Sequence, residues 1–266
     1  MIVRRGWLLW FLGLGCYALV ALDADGDPPA ARGLWQQGQE ALRQGQPQRA
    51  IGFYEQSLAA DPAFTRCHMS LAAAHLEAGH DEAAGVHLGK YLAAHPEHVL
   101  MRAHHAELLL RLHRCREARH EFERFTADAQ DAGAGFTRHL VHAHTRLMEI
   151  AEGEEDEYGI RLNRGLGLYW LARERVTLKD ADGELPAEGL LCRAARELNL
   201  AHREHPGEAR PCWYLYAVWS QLAQKQLALR WLRRAAAAAP FTDLTPAEIR
   251  SLDLACRAVA DPLSRR

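Results

Sequence analysis

Fifteen histidines, six cysteines and one short acidic run are the residues of this 266-residue chain whose chemistry must be weighed first. His139, His142 and His144 stand close together, and His104 adjoins His105. A spacing of three puts His139 and His142 on one helix face, a geometry that suits a divalent metal. Zinc sites of established kinds add an acid or cysteine at firm spacing, as in the two-histidine, one-glutamate helix motif, and that motif is absent. The histidines are therefore read as surface residues, with no metal and no cofactor; a histidine-rich metal-binding protein is the alternative. Beyond Cys16, the cysteines Cys67, Cys115, Cys192, Cys212 and Cys256 are widely spaced and form no CxxC pair. They are expected as small buried residues at helix contacts. A bridge between Cys192 and Cys212 stays open in an oxidising compartment.

The acidic run 152–157 lacks the alternating ligands and turn glycine of a calcium loop. It is expected to form the N-terminal turn of a helix, where carboxylates meet the positive end of the dipole. Glu157 lies four residues before Arg161, a favourable helical pair. Gly165-Leu166-Gly167 falls inside a helical pattern rather than after a strand, so it marks a close helix contact. No nucleophile elbow, phosphate loop, dinucleotide fingerprint or catalytic-carboxylate motif occurs, and the chain is read as no enzyme. Charge is balanced at net −2 with no basic block, which argues against nucleic acid.

The elements that would position these residues follow a period. Pro62 and Pro96 stand 34 residues apart, as do Pro206 and Pro240, and each closes an Ala- and Leu-rich amphipathic stretch. Laying 31–64 over 65–98 matches Gly38 with Ala72, Gly45 with Gly79, Ala50 with Ala84, Tyr54 with Leu88 and Leu58 with Leu92. Gly38 and Ala72 admit a partner helix at close range. Gly45 and Gly79 end the first helix of each pair in a left-handed conformation. Ala50 and Ala84 let the second helix cross the first, Tyr54 and Leu88 fill the space beside the crossing, and proline stops the second helix.

These residues resemble the tetratricopeptide repeat, a helix-turn-helix unit of this period. A third, degenerate copy spans 99–132, keeping Ala106, Ala118 and Phe122. Another unit spans 207–240 with Leu215, Ala228, Leu232 and Ala235, preceded by a second helix with Ala194, Leu198 and Ala201 whose first helix is 158–175. Between the arrays a helix is expected with Phe136, Leu140, Ala143, Leu147 and Ile150 on one face. Thr245, followed by Pro246 and Glu248, is a helix N-cap, and the helix to about 260 caps the stack. The resemblance implies an all-α, right-handed superhelical solenoid behind an N-terminal hydrophobic segment. Its expected parts are a signal or anchor at 1–22, a linker at 23–30 and a three-unit array at 31–132. An atypical helical pair with an inserted loop at 133–188, further units at 189–240 and a cap with tail at 241–266 complete it.

Arg4 and Arg5 precede an apolar run, 7–22, and Asp23, Asp25 and Asp27 follow it. This is an export signal or membrane anchor that leaves the N-terminus in the cytoplasm and the body outside. An uncleaved anchor, a cleaved signal and a lipoprotein built on Cys16 are all open readings. Arginine dominates the basic residues, and the chain is expected in the cell membrane of a bacterium or exported to its periplasm.

In tetratricopeptide arrays the first helix of each pair lines the concave face, where protein or peptide partners lie. Carried over, the inward residues are Arg32, Trp35, Gln39 and Arg43, then Arg66, Met69, Ala73 and Glu77, then Ala103, Glu107 and Arg111. Downstream, Arg210, Trp213 and Ala217 hold the like face. Trp and Arg are frequent binding anchors, and such a groove suits a segment with apolar and acidic residues. The subtype that grips a C-terminal carboxylate through paired Lys and Asn is not matched, since Asn occurs only at Asn163 and Asn199. The implied function is an interaction scaffold of the cell envelope; a self-associating assembly component is a further alternative.

Overall fold

A computed structural model of the chain describes residues 28–132, 134–178 and 187–260. Every regular element among them is helical. The chain divides into two compact units between Arg114 and Cys115, within the third 34-residue segment.

The first unit holds α1 (Pro29–Arg43), α2 (Pro47–Ala60), α3 (Arg66–Ala78), α4 (Asp81–Ala94) and α5 (Val99–Arg111). α1 starts inside the expected linker because Pro29 supplies the fixed φ of a first helical turn. Gly45 (φ 69°) and Gly79 (φ 79°) end α1 and α3 in the left-handed region, as their alignment implies. After Gly45 the amide of Gln46 returns to the Ala41 carbonyl at 2.9 Å, and after Gly79 that of His80 returns to His75 at 2.8 Å. Pro62 and Pro96 fall just beyond α2 and α4, where a ring without an N–H prevents continuation.

Small residues bring the helices together. A side chain at Gly38 would stand 2.6 Å from Tyr54 Cδ1, so only glycine leaves room for the tyrosine ring. Tyr54, Ala50, Ala31, Cys67, Leu71 and Ala74 form one buried cluster, and Ala72, Leu88 and Leu92 a second. A fully buried leucine such as Leu71 contributes about 2 kcal/mol. Polar groups inside are satisfied: the Ser57 hydroxyl donates to the Ala31 carbonyl at 2.8 Å, and the Cys67 thiol to the Tyr54 carbonyl at 3.2 Å. Burial pushes the Cys67 thiol up to about 12, so it packs rather than reacts.

The second unit holds α6 (Cys115–Ala132), α7 (Thr137–Gly153), α8 (Glu157–Leu178), α9 (Ala187–Glu204), α10 (Ala209–Gln221), α11 (Lys225–Ala238) and α12 (Pro246–Ala260). Successive helices pack on one another, and α12 also touches α6. Leu140, Ala143, Leu147 and Ile150 form the buried face of α7, as the periodicity predicts. A side chain at Gly165 would meet Leu198 Cγ at 2.7 Å, which fixes the close approach of α8 and α9.

The acidic run departs from expectation. Only Glu157 enters the first turn of α8; Glu152 ends α7, and Glu154 and Glu155 form the turn, with Glu155 left-handed (φ 57°). Asp156 accepts from the Gly159 amide at 2.9 Å and so caps α8. Arginines take up the remaining charge: Glu154 pairs with Arg119, Glu152 with Arg164 at 3.3 Å, and Glu157 with Arg161 at 3.6 Å.

At α12 the cap is a reciprocal box. The Glu248 amide donates to Thr245 Oγ1 at 3.2 Å, and the Thr245 amide donates to Glu248 Oε2 at 2.8 Å. The hydrophobic segment 1–22, residues 23–27 of the linker and the inserted loop at 179–186 lie outside the described residues. Among those described, no helix is long and apolar enough to cross a membrane.

Candidate partner-binding site

The first helices of the first unit carry the expected docking residues. On α1, the positions Arg32, Trp35, Gln39 and Arg43 recur at helical spacing beside the buried stripe of Ala31, Gly38 and Ala41, and each stays at least partly exposed. On α3 the same holds for Arg66, Met69, Ala73 and Glu77 beside Cys67, Ser70, Leu71 and Ala74. Trp35 does more than present a surface. Its indole N–H donates to Ser70 Oγ at 2.9 Å, and its ring meets Phe64 edge-on at 5.9 Å, so it joins α1 to α3. Arg43 is exposed and pairs with Glu40 one turn back at 2.5 Å. Partial burial raises the pKa of Glu77.

Other expected positions are placed differently. Glu107 is 8% exposed and belongs to the interior of α5, which removes it from any open face. Arg111 is exposed but reaches back to Asp81 at the start of α4, holding two elements together. In the second unit, Arg210 donates through Nε to Glu248 of α12 at 3.1 Å and through a terminal nitrogen to the Asp243 carbonyl at 2.6 Å. The C-terminal helix therefore takes up the group that the resemblance assigned to a partner. Trp213 is half-buried, its ring 5.3 Å from that of Tyr216.

The histidines gather where spacing did not direct attention. His68 and His75 of α3, His80 of the following turn and His87 of α4 form a cluster. His68 Nδ1 lies 3.0 Å from His87 Nδ1, His75 Nδ1 lies 3.4 Å from His80 Nδ1, and His75 stacks on His87 at 5.4 Å. Burial, then the neighbouring His68, His75 and Lys90, bring His87 down to about 4. The signal was the seven-residue interval between His68 and His75, two turns on one face. Among the described residues, no three histidine, cysteine or carboxylate side chains meet in an arrangement that could hold a metal ion. His144 is no surface residue: it is buried in α7 and bonds to Asn163 of α8 at 3.0 Å. Cys67 and Cys212 are buried as expected, whereas Cys115 and Cys192 are exposed, because they open α6 and the first turns of α9; Cys192 and Cys212 are both free thiols.

Two stacked hairpins with a left-handed glycine after each first helix and a proline after each second are the geometry of one family. Residues 41–88, from the end of α1 through most of α4, match the family model for the tetratricopeptide repeat. The chain carries tetratricopeptide repeats. No curated protein sequence matches it. Solved structures similar to it include a double mutant of MamA RS-1, at 15% identity and a TM-score of 0.41, covering 80% of this chain and 96% of that one. PilF of Pseudomonas aeruginosa is similar at 14% identity and a TM-score of 0.38, covering 84% of this chain and 97% of that one. YrrB, a tetratricopeptide protein with an unusual peptide-binding site, is similar at 15% identity and 0.34, covering 83% and 91%. At such scores none of them bears on what this chain binds.

Proposed function

We propose that the first unit is a docking scaffold whose α1 and α3 receive an extended or helical protein segment carrying apolar and acidic residues. The observation that carries this reading is the pair of stripes, Arg32, Gln39 and Arg43 with Arg66, Met69 and Glu77, each at least partly exposed beside a buried face. Trp35 floors the seam between them, and the arginines supply complementary charge. The hairpins of this unit wind as a right-handed solenoid, so the stripes line its concave side. Tetratricopeptide repeats hold partners and rarely do chemistry, and the chain acts as a scaffold rather than an enzyme. Its setting is the bacterial envelope: Arg4, Arg5 and the apolar run 7–22 hold it in the cytoplasmic membrane with the repeats outside.

Affinity capture from membrane fractions tests this, using the full chain and an Arg43→Glu, Met69→Ala variant whose helicity is checked by circular dichroism. The partner recovered with the native chain should fall at least about tenfold with the variant. Equal recovery overturns the groove reading, and equal recovery from soluble and membrane fractions overturns the anchored setting.

A further inference from the structure

The other unit holds a cleft walled mainly by second helices, which the repeat pattern does not assign to partners. α9, α10 and α11 surround a cleft of about 460 Å³. Its walls are His202 and Arg203 of α9, Trp219 of α10, and Arg230, Trp231 and Arg234 of α11. Leu227, also on the wall, is 38% exposed.

The cleft is built rather than incidental. Trp231 is fixed on two sides: the Arg234 guanidinium sits 4.8 Å over its ring, and the His202 ring meets it edge-on at 5.1 Å and 90°. His202 is held in turn by Cys212, whose Sγ lies 3.4 Å from its Nδ1. Burial, and then the Arg234 charge, lower the pKa of the His202 imidazole. The Trp219 indole N–H is buried and has no acceptor among the described residues.

Charge adds to this place. Arg119, Arg138, Arg146, Arg161, Arg164 and Arg210 of the unit each pair with a carboxylate, whereas the arginines on the cleft wall do not. Arg203, Arg230 and Arg234 are exposed, the cleft wall contains no acid, and none of the three forms an ion pair with a described carboxylate. Three uncompensated guanidinium groups around one concavity focus a positive potential in a chain whose net charge is −2. An anion entering there relieves their mutual repulsion and gains planar, paired hydrogen bonds.

We propose that this cleft binds an acidic peptide segment, with carboxylates on Arg203, Arg230 and Arg234 and an apolar side chain between them on Trp219 and Leu227. The site is independent of the docking face on α1 and α3: it uses second helices of the repeats and α10's far end, and it belongs to the other unit. A protein segment fits better than nucleic acid because Trp219 and Leu227 offer apolar contact beside the charges, and the chain as a whole carries a net charge of −2.

The test uses the full-length chain in non-ionic detergent. The probe is a blocked five-residue peptide with phenylalanine flanked by two glutamates on each side, followed by calorimetry. Saturable binding is expected, weakening at least about tenfold in an Arg230→Glu, Arg234→Glu variant. An Arg43→Glu, Met69→Ala variant should still bind the probe saturably, and the cleft substitutions are compared in that background, which separates this site from the first. Because Arg234 packs on Trp231, an Arg203→Glu, Arg230→Glu variant is measured beside the first cleft variant; both of its substituted residues are exposed and neither stacks on Trp231, so it should lose binding without moving the thermal transition. The proposal is overturned by equal affinity in the cleft variants, by equal binding of a peptide with lysines in place of glutamates, or by no saturation up to about 1 mM.

Discussion

At the residue scale the structure assigns individual side chains to work that their type alone does not announce. His144 is the clearest case. It is 3% exposed, its Nδ1 faces Asn163 Oδ1 at 3.0 Å, and its Nε2 is buried with no partner among the described residues. Burial brings its imidazole down to about 4. A histidine whose folded pKa lies below its unfolded value binds a proton more readily in the unfolded chain. Stability is then complete above about pH 6.5 and is lost as pH falls from there toward 4, by about 3 kcal/mol for this residue. Urea unfolding at pH 7 and at pH 4.5 should therefore show a fall that His144→Gln reduces, because glutamine takes up no proton over that interval. An unchanged fall in the variant would assign the pH dependence to other groups, the His68–His75–His87 cluster first among them. Trp35 and Arg210 teach the same lesson: each binding-type side chain is partly or wholly engaged by its own fold.

At the element scale, several of the described hairpins turn through one left-handed residue. Gly45 and Gly79 hold it in the first two repeats, His113 holds it 34 residues further on (φ 58°), and Ala223 holds it between α10 and α11 (φ 56°). A left-handed L-residue costs roughly 1–2 kcal/mol, of which glycine returns part to the freer unfolded chain. Ala223→Gly and His113→Gly should each stabilise the chain by about 0.5–1 kcal/mol, read as a higher urea midpoint at constant slope. A drop in midpoint for both would mean that these turns are not strained. The same turns show what the sequence made legible. Helix ends written in glycine and proline, and buried faces written in alanine and leucine, were readable because they are local: α1–α4, the face of α7 and the Thr245–Glu248 cap all follow from neighbours within a few residues. His113, Glu155 and Ala223 could not be read, because nothing in their chemistry prefers φ > 0. Nor could the ion pair from Arg210 to Glu248, 38 residues away, or the burial of Glu107, since both depend on which helix arrives opposite. The cleft on α9–α11 escaped for the same reason: its arginines are 27 and 31 residues apart from α9 to α11 and look like solvated surface.

At the scale of the whole molecule, two compact units divide the work by how their surfaces are finished. The first presents α1 and α3 with polar and apolar residues left partly uncovered. The second turns its Arg210 face onto its own C-terminal helix and keeps unpaired arginines around a separate cleft. The central claim is that a protein segment lies along α1 and α3. It is tested most directly by photo-crosslinking in cells, with p-benzoylphenylalanine placed at Gln39 or Ala73 on the stripes and, as the comparison, at exposed Val86 on α4. The account predicts a crosslinked partner band from Gln39 and Ala73 and none from Val86. A band from Val86 with none from the two stripe positions would contradict it.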